Sequence, residues 1–118
     1  MDLVLETGAK VSTLKMVGNI GLADVSRLTD TLEGIVRTAE IRQLLVDCTA
    51  LDNWDDAAIS GVVNFIREMT READRRVALF GLSATLKAGL DRLGIGEILA
   101  SAESRDAALD ALSDANDD

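Results

Sequence analysis

The segment RQLLVDCTALDNWDDAAISGVVNFI, Arg42–Ile66, narrows the choice of fold more than any other part of the chain. Leu44, Leu45 and Val46 form a continuous apolar run. That is the pattern of a central strand covered on both faces, since a strand with one wet face alternates instead. Asp47 closes the run, and Asp, Thr and Asn residues with turn chemistry carry the chain to Asn53, with Leu51 the one large apolar residue among them. From Trp54-Asp55-Asp56 onward the period changes, and Ile59, Val62, Val63 and Ile66 recur at helical spacing. The segment therefore reads as buried strand, polar loop and amphipathic helix. Asp55 and Asp56 stand at the helix N-terminus, where unpaired N–H groups and the helix dipole favour negative charge.

Elements of the same two kinds alternate through the rest of the chain. Leu3–Glu6 and Val11–Val17 are strand candidates, and the Thr7-Gly8-Ala9-Lys10 gap suits a hairpin turn. Gly18-Asn19-Ile20-Gly21 follows as a loop. Val25, Leu28, Leu32, Ile35, Val36 and Ala39 mark a first helix with Asp24 as N-cap, and Gly34 inside it suggests close packing on a neighbour. The second helix is predicted to continue to about Asp74, with Glu68/Arg71 and Glu72/Arg75 or Arg76 on a solvated charged face. Arg76–Leu82 is the next strand. Ser83 caps a third helix with Leu86, Leu90 and Leu93 inward, stopped by Gly94 in a left-handed conformation. Glu97–Ala100 is a brief last strand, and Glu103–Asp106 opens a final helix that packs Ala108, Leu109 and Leu112 on the sheet. The order ββαβαβαβα predicts a single α/β domain over residues 1–112, its sheet mixed but mostly parallel, with residues 113–118 as a disordered acidic tail.

Composition removes several functions. With 118 residues the chain can build one core. Its net charge of −9 argues against nucleic acid and against anionic membrane surfaces, which need clustered Lys or Arg. Histidine is absent, so Ser-His and Cys-His catalysis lack their base. Cys48 is the sole cysteine, which excludes an internal disulfide and Cys/His metal sites; directly after a strand, it reads as a core residue. No apolar run reaches the ~20 residues of a membrane span, and MDLVLETGAK does not resemble a signal peptide, so a cytoplasmic domain without cofactor or direct membrane insertion is expected. Asp47, Asp52, Asp55 and Asp56 offer carboxylates to a hard cation but lack the order of a calcium loop, so a metal-dependent acidic site is the weakest alternative. Asp47 also fails as the acceptor of a phospho-receiver domain, because the acidic pair and the lysine that family needs are missing.

The spacing across Arg42–Ile66 resembles the STAS domain, the family of bacterial anti-sigma factor antagonists. Its members carry an apolar strand ending in Asp, about seven residues, and an Asp-Ser-Ser-Gly run that opens a helix. Asp47 matches the strand-end Asp and Asp55 the Asp of the run; Asp56 falls on the serine or threonine that the family's partner kinase phosphorylates. Ala57 and Ala58 replace the second serine and the glycine. In the loop before the first helix, Gly21 stands where relatives carry an Asp near the phosphorylation site. The segment LKAGLDRLGIGEILASAESRDAALDAL resembles the family's ending, so the likeness covers residues 10 to 112 or so.

The resemblance implies a non-enzymatic domain with no catalytic residue, working by partner switching. The unmodified form captures an anti-sigma factor or serine-kinase-type regulator, and phosphorylation ends the capture. Asp56, with Asp55 beside it, is then the switch position, phosphomimetic or phosphorylation-independent, and Ser60, one turn on, is the alternative phosphosite. The partner-binding surface would draw on Trp54, Ala57, Ser60, Gly61, Asn64, Phe65 and Gly21. Trp54 serves there as an aromatic anchor unless it packs back on the helix start. Gly61 reflects either close approach of a partner or tight internal packing, and Phe65 sits at the edge of the apolar face. The alternative within the family is a STAS subunit of a lipid or sulphate transport assembly, docked on a transporter subunit. A homodimer is compatible with either.

Overall fold

The sheet is organised around its longest strand. The structure, a computed structural model, describes residues 1–94 and 101–116. Ser12–Ile20 (β2) takes Asp2–Glu6 (β1) antiparallel on one side, from Asp2 opposite Val17 to Glu6 opposite Thr13, as the hairpin spacing predicted. On its other side β2 takes two strands in succession, both parallel. Gln43–Asp47 (β3) lies along Ser12–Lys15, and Leu51–Trp54 (β4) lies along Gly18–Ile20. Arg76–Phe80 (β5) pairs parallel with β3, and Ser101–Ala102 (β6) with β5. The path β1-β2-β3-β5-β6, with β4 off it beside β2, is the expected mixed, mostly parallel sheet plus one unforeseen strand.

Three helices among the described residues lie between strands, Val25–Val36 (α1), Asp56–Thr70 (α2) and Ala84–Arg92 (α3), and a fourth, Arg105–Asn116 (α4), follows the last. Period-2 alternation along β3 divides the core between the two faces of the sheet. Leu44 and Val46 join the larger core, with Leu28, Leu32 and Ile35 of α1, Ile59, Val62 and Val63 of α2, and Leu86 and Leu90 of α3. Leu45, between them, joins Phe80, Ala108 and Leu112 in a second core beneath α4. The apolar run of β3 is thus covered on both faces. Full burial of each of its three residues, none above 1% exposed, contributes about 1.5–3 kcal/mol.

Several boundaries differ from expectation. Gly18-Asn19-Ile20 is strand, not loop: β2 bends at a register shift between Gly18 (φ +85°) and Asn19 and continues to Ile20. The polar loop after Asp47 contains β4, in which Leu51 and Trp54 are buried and Asp52 and Asn53 exposed. Asp24 does not cap α1 with its side chain. It ends a 3₁₀ turn, Leu22–Asp24, and its carboxylate accepts from the Gly21 N–H at 3.1 Å. Gly34 has open space where a Cβ would stand, so no close packing demands it. Leu93 is 37% exposed, beyond the end of α3, while Gly94 has the left-handed φ of +71° expected of a helix stop. The expected strand Glu97–Ala100 lies outside the described residues. α4 runs into the segment read as an acidic tail as far as Asn116, and residues 117–118 are not described.

The largest correction concerns Arg75. α2 stops at Thr70, so Arg75 is on no helix face and pairs with no solvated Glu72. It is 4% exposed, folded beneath the end of α1, where its guanidinium donates to the carbonyls of Ile35, Val36, Thr38 and Ile41 at 2.8–3.2 Å. These are last-turn and post-helix acceptors beyond the regular hydrogen-bond ladder of the helix. The Glu68–Arg71 pair is exposed as expected, at 3.5 Å.

Candidate functional site

β4 delivers the chain to the start of α2. Its pairing sets Asn53 beside Asn19 and Trp54 beside Ile20, and the next N–H, that of Asp55, donates to the Ile20 carbonyl at 2.8 Å. Asp55 is extended (φ −75°, ψ 154°), and its carboxylate accepts from the Ala57 N–H at 2.9 Å. It is the N-cap, a contribution of about 1 kcal/mol to the helix. Asp56 is then the first residue of α2, in the first turn as the sequence predicted.

Asp56 is exposed, and its carboxylate accepts a hydrogen bond from Arg92, the last residue of α3, in a charge-assisted ion pair. Sequence reasoning missed Arg92. It lies 36 positions away, and its one local signal is a basic residue in a last helical turn, which reads equally as a dipole partner. Asn19, Gly21, Asn53, Asp55, Asp56 and Arg92, with Ile20 and Trp54, surround a shallow cavity of about 400 Å³. Gly21 and the Asp55-Asp56 pair, far apart in sequence, therefore share one surface. Leu22, next to Gly21, is 70% exposed.

The remaining predicted site residues separate into two groups. Ser60 and Asn64 are exposed, and Ala57 and Gly61 half-buried, on the outer side of α2. Phe65 was placed at the boundary but is 4% exposed, because α1 packs over it. With Thr29, Leu32, Val36, Gly61 and Asn64 it lines a groove of about 230 Å³ between α1 and α2. A Cβ on Gly61 would come no nearer than 3.9 Å to another group (Thr29 Oγ1), so internal packing does not require the glycine. Trp54 is not an exposed anchor. It is 5% exposed within the larger core, and its Nε1–H is buried with no acceptor among the described residues. Gly89 of α3 lies against it, close enough that a Cβ there would stand 3.6 Å from Nε1.

The acidic residues do not gather. Asp47 accepts from the N–H and hydroxyl of Thr49 at 2.9 and 2.7 Å, Asp55 caps α2, Asp56 pairs with Arg92, and Asp52 is exposed. Among the described residues no three His, Cys, Asp or Glu side chains are grouped to hold an ion. Cys48 is buried as expected. Burial, with a smaller contribution from the Asp47 charge, pushes its thiol up to about 12. No helix among the described residues is long and apolar enough to cross a membrane.

Comparison with curated protein sequences finds no match. Among solved structures, an anti-sigma factor antagonist from Mycobacterium paratuberculosis superposes with a TM-score of 0.83 at 13% identity, over 95% of this chain and 93% of that one. A sulfate transporter family protein from Wolinella succinogenes gives 0.74 at 17% identity, over 95% and 92%. The Bacillus cell fate determinant SpoIIAA in its phosphorylated form gives 0.69 at 17% identity, over 94% and 99%. These likenesses establish the fold. The family model of the STAS domain matches residues 2–108, nearly the whole length, and the chain is a member of the STAS domain family.

Proposed function

We propose that this STAS domain is a non-enzymatic protein-interaction module of the anti-sigma factor antagonist kind, acting through the surface at the start of α2 without a phosphorylatable hydroxyl at position 56. The observation that carries the proposal is the convergence of Gly21, Asp55 and Asp56 on one exposed cavity, with Asp56 as the first residue of a capped helix. In a partner-switching system a phosphoryl group there would add about −1.5 to −2 of charge. Asp56 brings a single negative charge, and Arg92 lies against it. The pair leaves little net charge at the position, so the surface is nearer to an unmodified hydroxyl than to a phosphoserine. The module then stays permanently able to capture its anti-sigma factor or serine-kinase-type partner in the cytoplasm. Ser60, exposed on the next turn, is the hydroxyl left for a kinase.

A second proposal, a subunit docked on a lipid or sulphate transport assembly, is favoured by the fold shared with the sulfate transporter family protein. One experiment addresses both. The native protein and an Asp56→Ser variant are used to capture partners from the host cell, and these are identified by mass spectrometry. Capture of an anti-sigma factor or kinase-type regulator is the expected result, weakened by the substitution because serine leaves the Arg92 charge uncompensated on the docking surface. Transporter subunits would favour the second proposal, and identical partners in identical yield would show that position 56 is no docking position.

A further inference from the structure

α3 is lightly held for a helix that borders this surface. Its nine residues are too few for stability in isolation, since helices below about 12–15 residues are marginal in water. Ser83 caps its start, accepting from the Leu86 N–H at 3.2 Å, and only Leu86, Gly89 and Leu90 are buried along it. Beneath it lies Trp54, whose Nε1–H is buried and has no acceptor among the described residues. An unpaired buried donor is unfavourable, and a small outward movement of α3 would let water satisfy it. The closed position is therefore opposed by the group it covers. Among the described residues, the tie between α3 and another element that is not apolar packing is the Arg92–Asp56 ion pair.

We propose that Arg92 is a positioning residue: its pair with Asp56 fastens the C-terminal end of α3 over Trp54, so that a partner drawing Asp56 away from Arg92 loosens α3. Occupancy of position 56 is then transmitted to a helix that the partner need not touch. Only the involvement of a partner rests on the docking function proposed above. The coupling of Asp56, Arg92, α3 and Trp54 is a property of the free domain and is tested there.

The test uses the purified domain and the variants Arg92→Gln, Asp56→Asn, the two combined, and Arg92→Lys. Amide exchange is followed by mass spectrometry in peptides covering 84–94, with peptides from β2 and β3 as internal reference. Acrylamide quenching reports on Trp54, the sole tryptophan of the chain. Each single neutral variant is expected to speed exchange in α3 about two- to fivefold, the range of an exposed ion pair, and to raise Trp54 quenching. The double variant should match either single one, and Arg92→Lys should fall between wild type and Arg92→Gln. β2 and β3 should be unchanged. Unchanged singles, an additive double variant, or an equal rise in β3 would each overturn the proposal. Its failure would leave the docking function standing, and failure of the capture experiment would leave the coupling standing.

Discussion

Replacing Arg75 by Ala is expected to be among the most damaging single changes to the fold, although sequence spacing puts this residue on a solvated helix face. Four carbonyls lose a charged donor at once. Those of Ile35 and Thr38 keep a backbone N–H, from Thr38 and Ile41 respectively, so the loss concentrates on Val36 and Ile41. A hydrogen bond to a charged group is worth about 1.5–3 kcal/mol, and two sharing one guanidinium give roughly 3 kcal/mol after allowing for non-additivity. A cation at a partly buried helix C-terminus adds about 1 kcal/mol. The total, about 4 kcal/mol, corresponds to a fall in Tm of roughly 12–20 °C for a chain of this size. Arg75→Lys should lose about half as much, because an ammonium cannot span acceptors on both sides of the α1 terminus. Urea unfolding followed by far-UV circular dichroism gives the free energies by linear extrapolation. Arg71→Ala is the control, since its exposed pair with Glu68 should cost less than about 0.5 kcal/mol. An Arg75→Ala loss no larger than that of the control would refute the account of α1 termination.

Two further expectations use the same measurement. The Cys48 thiol titrates at about 12 in the folded domain against 9.0 ordinarily, so the fold binds the proton more tightly than the unfolded chain. Its contribution is fully present below pH 9 and lost as pH rises toward 12, with a slope of at most about 1.4 kcal/mol per pH unit. Cys48→Ala should therefore be less sensitive to pH than wild type between roughly pH 9 and 10.5, and parallel curves would contradict the burial of the thiol. Gly61→Ala should raise stability by about 0.5–1 kcal/mol, because the added methyl sits within a helix and meets only an ordinary contact, Thr29 Oγ1 at 3.9 Å. A loss of stability would mean that α1 and α2 pack more closely than the groove indicates.

The sequence discloses most where one side chain's role is set by its near neighbours. The β3 run, the start of α2 at Asp55-Asp56, the Ser83 cap and the Gly94 stop are all decided within a few residues, and each appears where expected. What escaped depends on distant partners. β4 is four residues long and half polar, and it is a strand because Gly18–Ile20 offers it backbone groups to pair with. Trp54 faces inward for the same reason: the pairing of β4 with β2 seats it beside the buried Ile20, a placement that a supposed loop does not have. Phe65 looks marginal on α2 alone and becomes buried when α1 covers it. Arg75 and Arg92 carry ordinary local signals, an apparent i,i+3 pair and a last-turn cation, while their partners lie on elements 34 to 40 residues away.

The origin of α2 is attached to the sheet by peptide groups. β4 pairs with the end of β2, and the Asp55 N–H completes that ladder on Ile20 before the helix begins. Peptide groups are the part of a protein that substitution leaves alone. A position held this way keeps its address while the surrounding core drifts in size and composition, and the side chain displayed there is free to change without moving its mount. Structures at 13–17% identity share this fold. In such a fold the side chain at position 56 can differ, and a counter-charge such as Arg92 can be supplied from another helix, with the geometry of display retained throughout.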